Sequence, residues 1–195
     1  MRVVIIGAGG FSEVIADILL QSQQAGEKVE PIGYLDDNHA LEGKYLCGLP
    51  VLGGLEKLPH IAHDSIVIAI GNNATRQRLY QTYLQRGEQF ATACHPKAVI
   101  PPDVTVGPGT MICAGVVVNP GSTVAANVIL SVACTISHHN YIGDHAHIAP
   151  GVHMGGDVTI GEGTLVGIGA IVMPQRSIGC WSIVSAGALV HKNLP

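Results

Sequence analysis

The chain has 195 residues, which is enough for one large domain or two small ones. Hydrophobic residues make up 47% and charged residues only 12%, so a core can form, yet no apolar run approaches the roughly 18–20 residues that span a bilayer. A net charge of −4 gives no electrostatic reason to expect nucleic acid or anionic lipid as partners. The N-terminus begins with a strand-like run and lacks a basic segment or cleavage site, so we expect a cytoplasmic protein.

Roughly the first ninety residues alternate strand and helix patterns. Arg2–Ile6 is predicted as a buried strand, and a helical run extends from Phe11 to about Gln24. Pro31–Leu35 and Ser65–Ile70 are further predicted strands, and the second of them leads into another helix. Alternating β and α units predict a small parallel sheet, here a Rossmann-like α/β domain.

A glycine-rich turn joins the first predicted strand to the first helix. The turn, Gly7–Gly10, has the geometry that brings backbone N–H groups to phosphates. Ser12 stands where the dinucleotide pattern has its third glycine, which disfavours NAD. We therefore expect a nucleoside diphosphate across the strand ends, with Asp36 or Asp37 accepting hydrogen bonds from ribose hydroxyls. The alternative is that the glycines only make a turn and the acids only cap a strand.

A six-residue hydrophobic period begins near residue 95. Every sixth residue is aliphatic or methionine: Ile100, Val106, Ile112, Val118, Val124, Leu130, Ile136, Ile142, Ile148, Met154, Ile160, Val166, Val172, Ile178, Val184 and Val190. Neither the helical period of 3.6 nor the strand period of 2 fits. One six-residue unit forms a short strand and a turn, so three units close a triangular coil with the aliphatic side chain inside. The sequence predicts a Rossmann-like domain over residues 1–94 and an all-β left-handed parallel β-helix over 95–195.

Smaller residues complete the repeat. Small or β-branched residues usually precede the aliphatic position by two and are expected to pack at the corners. Glycine commonly follows the aliphatic residue, and we expect it to give the turns their positive φ. The glycines in question are Gly107, Gly143, Gly155, Gly161, Gly167 and Gly179.

Neither the cysteines nor the histidines favour a metal site. The five cysteines are scattered, so we expect small buried hydrophobes: Cys47, Cys94, Cys113, Cys134 and Cys180. Five histidines cluster between residues 138 and 153, and γ-type carbonic anhydrases of this shape hold zinc between subunits with three histidines. Stacking requires a spacing of eighteen, and the residues eighteen after His138 and His139 are Gly156 and Asp157. We therefore expect that no single face collects ligands and that no metal is bound.

The two halves together resemble the bacterial sugar O-/N-acyltransferase family of sialic acid O-acetyltransferases and nucleotide-linked amino-sugar N-acetyltransferases. The resemblance covers nearly the whole chain, and the combination of both domains is more specific than the repeats alone. It rests on seven segments: Ile6–Gly10, Tyr34–Asp37, Ala69–Asn73 with Arg76, Cys94–Pro96, Thr135–His139, Asp144–Gly151 and Val190–Asn193.

The resemblance implies an acetyl-CoA-dependent N-acetyltransferase in bacterial glycan biosynthesis. Its acceptor would be the amino group of a UDP- or GDP-linked amino-deoxysugar, and its assembly a homotrimer with an intersubunit active site. His138 would be the general base in a direct attack on the thioester. Acetyl-CoA would lie near His147, Gly156, Ile168 and Ala186. The nucleotide sugar would contact Gly9, Gly10, Asp36, Asp37 and Asn72.

The chain also departs from the family pattern. The residue after the general base is commonly Glu or Asp, where a carboxylate can raise the basicity of the histidine, and here it is His139. Relatives continue past the position of Pro195 into a short tail with a G-x-P-A motif. These departures keep open a non-catalytic sugar-binding trimer. A second alternative is an O-acetyltransferase acting on sialic acid or a polysaccharide precursor, because the sequence does not name the acceptor.

Overall fold

The computed structural model describes all 195 residues, which form two compact units, residues 1–96 and 97–195. The first unit is an α/β domain. Its strands are β1 (Arg2–Ile6), β2 (Glu30–Leu35), β3 (Tyr45–Leu46), β4 (Leu49–Gly53), β5 (Ser65–Ile68) and β6 (Ala93–Cys94). Its helices are α1 (Gly10–Gln24) and α2 (Asn73–Gln85), with 3-10 turns at His39–Leu41 and Leu55–His60.

A five-stranded sheet of order β3-β4-β2-β1-β5 forms the centre of the first unit. Strands β4, β2, β1 and β5 are parallel, and β3 is antiparallel to β4. Residues 3–6 of the central strand β1 are fully buried, as expected for a strand covered on both faces. The three predicted strands and two helices are confirmed. The β3–β4 hairpin was not predicted, because one of its two turn residues with positive φ is Cys47, a residue type that does not signal a turn.

The two helices begin with different caps. Gly9 is the N-cap of α1 and has no side chain to offer, whereas the Asn72 Oδ1 atom at the start of α2 accepts a hydrogen bond from the Thr75 N–H at 2.9 Å. Neither helix has the length and apolar composition that a bilayer-crossing segment needs.

The second unit is a left-handed parallel β-helix, as predicted. One of its three sheets contains β7 (Thr105–Val106), β10 (Thr123–Val124), β13 (Tyr141–Ile142), β16 (Thr159–Ile160) and β19 (Ser177–Ile178). Another contains β8 (Met111–Ile112), β11 (Ile129–Leu130), β14 (His147–Ile148), β17 (Leu165–Val166) and β20 (Ile183–Val184). The third contains β9 (Val117–Val118), β12 (Thr135–Ile136), β15 (His153–Met154), β18 (Ile171–Val172) and β21 (Leu189–Val190). Paired residues are eighteen apart, as in Thr123 beside Tyr141.

The aliphatic ladder fills the interior of this helix. From Ile112 to Val190 every member of the six-residue series is buried, whereas Ile100 and Val106, in the first coil, are partly exposed. The small residues two positions earlier pack inside as well, and Val128, Cys134 and Ala146 have no exposed surface.

The prediction about the turn glycines is wrong. Positive φ recurs every six residues, but three positions after the aliphatic residue, at Gly109, Gly115, Gly121, Asn127, Ala133, His139, His145, Gly151, Asp157, Gly163, Gly169, Gln175, Trp181 and Gly187. The glycine directly after the aliphatic residue is instead required by close stacking. At Gly167, for example, a Cβ atom would lie 2.6 Å from the backbone nitrogen of Ala186 in the next coil.

The cysteines divide into two groups. Cys113 and Cys134 are buried, but Cys47, Cys94 and Cys180 are exposed, so the prediction of buried hydrophobes is wrong for these three. All five are free thiols.

Candidate functional site

One corner of the β-helix contains His138. Its turns stack every eighteen residues through backbone hydrogen bonds: the His139 N–H donates to the Pro120 carbonyl at 3.1 Å, and the Asp157 N–H donates to the His138 carbonyl at 3.0 Å. Residues 120–121, 138–139 and 156–157 therefore form consecutive layers, which we call the His138 corner. The repeat positions His138 through its backbone and leaves its side chain exposed.

The His138 ring is held between two neighbours. Its Nδ1 atom lies 3.0 Å from Nδ1 of His139, and the two rings meet edge to face at 77°. On the other side, the ring lies against the backbone of Gly156, where an added Cβ would be 2.5 Å from the His138 Nε2 atom. Gly156 was predicted to contact the coenzyme, and here it makes room for the imidazole of His138.

Asp157 lies beside both histidines. One nitrogen of His138, one nitrogen of His139 and one carboxylate oxygen of Asp157 lie within 4.8 Å of one another, and all three side chains are exposed. The expectation that no single face of the β-helix collects possible metal ligands is therefore wrong. Asp157 stacks one coil after His139, which brings three possible ligands together. The three groups could share a divalent cation, and the same proximity also suits a hydrogen-bonded chain of two imidazoles and a carboxylate.

The other predicted coenzyme contacts lie elsewhere on the β-helix. Ile168 and Ala186 stack at a different corner, where the Gly187 N–H donates to the Ile168 carbonyl at 2.8 Å. We call residues 150–151, 168–169 and 186–187 the Ile168 corner. Ile168 is 61% exposed and offers an apolar surface on which the non-polar parts of acetyl-CoA could rest. His147 is on strand β14, and its Nε2 atom lies 3.1 Å from the Ser131 hydroxyl oxygen.

The first unit contains a cavity of about 700 Å³ at the carboxyl ends of β1 and β2. Its carboxylates follow β2 or belong to the Leu55–His60 turn, whereas its cations and two threonines lie on or just after α2. The polar lining residues are Asp36, Asp37, Glu56, Thr75, Arg78, Thr82, Tyr83 and Arg86, and Ile6, Gly7, Leu55, Ile70 and Leu79 complete the wall. Ligands of parallel α/β sheets bind at this edge.

The two aspartates of the cavity differ in their hydrogen bonds. Asp36 uses both carboxylate oxygens to hold loops, accepting from the Ala8 N–H at 2.7 Å and from the Asn38 N–H at 2.8 Å. Asp37 accepts only a long bond, from the Leu55 N–H at 3.2 Å. Asp37 is therefore the better candidate for contact with a ribose, and Asp36 shapes the loop that precedes α1.

The other predicted substrate residues lie outside the cavity lining. Gly9 and Gly10 are exposed at the start of α1, and nothing lies within 4 Å of a Cβ atom built at either. The positive φ of the turn is at Gly7 instead. The Asn72 side chain caps α2, so its oxygen is already engaged.

Arg78 and Arg86 are candidate binding residues that were not predicted. They lie eight positions apart on and just after α2, so the helix presents both toward the cavity. From the sequence they are indistinguishable from ordinary solvated surface cations. The residue that the sequence singled out, Arg76, is fully buried and donates to the Ile70 carbonyl at 3.0 Å. Burial lowers the pKa of Arg76 to about 9.

Comparison with known proteins agrees with both units. Residues 2–83 match the PglD N-terminal domain. The chain is 29% identical over 190 residues to a GDP-perosamine N-acetyltransferase of Escherichia coli O157:H7, covering 94% of this chain and 82% of that one. It is 32% identical to PerB from Caulobacter crescentus, solved with CoA and GDP-perosamine, with a TM-score of 0.90 over 100% of this chain and 91% of the other. The chain belongs to the hexapeptide-repeat sugar acetyltransferase family.

A second solved acetyltransferase of this family is the acetyltransferase domain of PglB from Neisseria gonorrhoeae, in complex with acetyl coenzyme A. It is 30% identical, with a TM-score of 0.91 over 100% of this chain and 92% of that one. The family resemblance stated from the sequence is therefore confirmed, as is its link to acetyl-CoA-dependent acetyltransferases.

Covalent catalysis by Cys134 does not suit this sugar acetyltransferase. Cys134 is fully buried, and burial raises the pKa of its thiol to about 12. At neutral pH roughly one thiol in 10⁵ would be a thiolate. Cys134 therefore fills the interior of the β-helix.

Proposed function

We propose that the protein transfers an acetyl group from acetyl-CoA to the amino group of a nucleotide-linked amino-deoxysugar, with His138 as the general base. The observation that carries this proposal is the similarity over the full chain to PerB, which was solved with CoA and GDP-perosamine. GDP-linked sugars are accordingly the first acceptors to test, and UDP-linked sugars the second.

The chemistry needs a base and no covalent intermediate. The acceptor ammonium has no lone pair, so it must first lose one proton to solvent to become the neutral amine. As the amine nitrogen attacks the thioester carbonyl, His138 takes a second proton from it and the new C–N bond forms. The C–S bond then breaks, and the proton held by His138 passes to the sulfur, so that CoA leaves as a thiol. Histidine is the side chain that most often acts as a general base in enzymes, and such catalysis contributes about 10²–10⁴-fold.

The cavity of the first unit would bind the nucleotide. Arg78 and Arg86 supply guanidinium groups that match phosphate oxygens in charge and geometry. Asp37 has a carboxylate oxygen to accept from ribose hydroxyls, and the exposed N–H groups at Gly9 and Gly10 suit a phosphate at the start of α1. The carboxylate of Asp37 would thus bind the ribose of a nucleoside diphosphate, and the two arginines would bind its phosphates.

A homotrimer would complete the site. The candidate coenzyme residues Ile168 and Ala186 lie at one corner of the β-helix and the candidate base His138 at another, so neighbouring subunits are needed to bring these corners together. Outward-facing strand residues supply an apolar surface for assembly: Ile171 is 47% exposed, Leu189 57% and Ile183 78%. Burial of such side chains in an interface is favourable.

Binding calorimetry with purified protein tests this function most directly. We expect it to bind acetyl-CoA, and separately a GDP- or UDP-linked amino sugar, and to release one CoA thiol for each sugar acetylated. The same sugar with a hydroxyl in place of the amino group is the matched control and should not be acetylated. Preference for the hydroxyl sugar would favour O-acetylation, and failure to bind acetyl-CoA would contradict the enzymatic function altogether.

Replacing Arg78 by alanine should weaken nucleotide-sugar binding by about 10–100-fold, because a charge-assisted hydrogen bond to phosphate is lost. The affinity for acetyl-CoA should change little. Arg2→Ala is the matched control, because Arg2 is exposed and its guanidinium lies 3.9 Å from Glu30 outside the cavity. Equal nucleotide affinity in both variants, measured by calorimetry, would show that the cavity does not hold the diphosphate.

A further inference from the structure

The His138 corner contains a carboxylate, although this chain lacks the acidic residue that the family commonly has directly after the base. The residue after His138 is a histidine, so the acidic neighbour common in relatives is missing from the chain at that position. Asp157 follows His139 by eighteen residues and therefore occupies the same place one coil later. Its backbone N–H donates to the carbonyl of His138 itself, which fixes Asp157 directly beside the proposed base.

The backbone of this corner is unusual and well defined. His139 has a φ of 57° and Asp157 a φ of 60°, so both adopt the left-handed conformation that β-carbon-bearing residues seldom take. Histidine and aspartate are among the residues that tolerate it best. The turns therefore present the side chains of consecutive layers from equivalent positions, which explains how groups eighteen residues apart come within 4.8 Å.

The two imidazoles are coupled by the contact between their Nδ1 atoms. A hydrogen bond between two Nδ1 atoms needs one donor and one acceptor. If His138 is to present an unprotonated Nε2 to the substrate, its Nδ1 must carry the hydrogen and donate to His139. The pair gains a positive charge when His138 takes the proton of the acceptor, and a nearby carboxylate opposes that charge.

We propose, resting on the function proposed above, that Asp157 is the positioning carboxylate of the His138–His139 pair and replaces, from the next coil, the acidic residue that usually follows the base. Asp157 does not touch substrate in this arrangement. It favours the orientation and tautomer in which His138 Nε2 accepts, and it stabilises the imidazolium formed during transfer. Asp157 is exposed, so one water molecule or a rotamer change can bridge the remaining gap to a ring nitrogen.

Few other titratable groups lie around this corner. Two coils before His139, the carboxylate of Asp103 accepts a hydrogen bond from the Gly121 N–H at 2.8 Å. On the flanking strands, Tyr141 is exposed and His153 contacts the Thr135 hydroxyl at 2.7 Å. In the coil after Asp157 the turn holds Gln175 and then Arg176, so no further carboxylate can take over the proposed role.

The test compares Asp157→Asn with Asp103→Asn, the same substitution three coils away on the same corner. Asparagine at 103 can still accept from Gly121, so the control should behave as wild type. We expect Asp157→Asn to lower kcat by about 5–50-fold, the range given by one charge at this distance, with both KM values within about two-fold. The acid limb of the profile of kcat/KM against pH should move to lower pH, because the cationic form of the pair has lost its partner.

A second readout does not depend on activity. The ring ¹⁵N shifts of His138 and His139, recorded across pH without substrate, should change in Asp157→Asn and remain as in wild type in Asp103→Asn. Unchanged shifts and an unmoved acid limb in Asp157→Asn would overturn the inference. Inactive wild-type protein would contradict the proposed function but leave the ¹⁵N comparison decisive. Wild-type activity is measured with and without EDTA, and its loss in EDTA would indicate a bound metal ion and would also overturn the inference.

Discussion

Replacing His138 by alanine should lower kcat for acetyl transfer by about 10²–10⁴-fold and leave the affinity for acetyl-CoA within a few-fold. The ring is exposed, its polar partner is His139, and it lies outside the aliphatic interior. Its removal therefore costs little packing, so the loss of rate reports on chemistry. Single-turnover kinetics measures the rate of acetyl transfer, and calorimetry measures the affinity for acetyl-CoA.

The matched control for this variant is His153→Ala. His153 is also an exposed histidine of the β-helix, but it lies on a strand and contacts Thr135. We expect its kcat to stay within about two-fold of wild type, because its ring bonds the Thr135 hydroxyl and has no part in the proposed proton transfer. If His138→Ala retained wild-type turnover while the protein still acetylated its acceptor, the general base would have to be another group.

The β-helix was predictable from sequence because its physical requirement repeats. Each six-residue unit needs one aliphatic residue pointing inward, and sixteen consecutive units satisfy this requirement. The left-handed turn positions could not be found in the same way, because seven of the fourteen are not glycine. Trp181, with a φ of 56°, would never be chosen as a turn residue from propensity. Backbone pairing with the preceding coil, where the Trp181 N–H donates to the Glu162 carbonyl at 2.7 Å, imposes that conformation, and this information is not local.

The site was predictable only in part, for two different reasons. The position of Asp157 beside His139 follows from the sequence, because the two residues are eighteen apart. Its role was missed, because the metal hypothesis considered only histidines as ligands. Arg78 could not be predicted as a binding residue, because an exposed cation on a helix becomes a candidate only when the rest of the cavity wall is known. Asp36 shows the converse: its type and place suggested a ligand, and its two oxygens are instead engaged by backbone N–H groups.

Gly156→Ala should lower kcat by about 10²-fold, although Gly156 itself takes no part in the chemistry. Its φ is outside the left-handed region, so alanine can adopt the backbone. The new methyl group would instead lie 2.5 Å from His138 Nε2, closer than real contacts allow, so the exposed imidazole must move. A displacement of about 1 Å in a catalytic group can cost on the order of 10²-fold in rate. Thermal unfolding should change little, because the ring is free to yield.

Two comparisons separate displacement of the base from damage to the fold. In Gly143→Ala the methyl group would meet the backbone of the next coil, 2.8 Å from the Glu162 nitrogen. That variant should therefore lose thermal stability but retain kcat per folded protein. In the His138→Ala background, Gly156→Ala should cause no further loss, because the ring it displaces is gone. An additional loss there would mean that Gly156 acts on the coenzyme directly, as the family resemblance first implied, and that its closeness to His138 is incidental to catalysis.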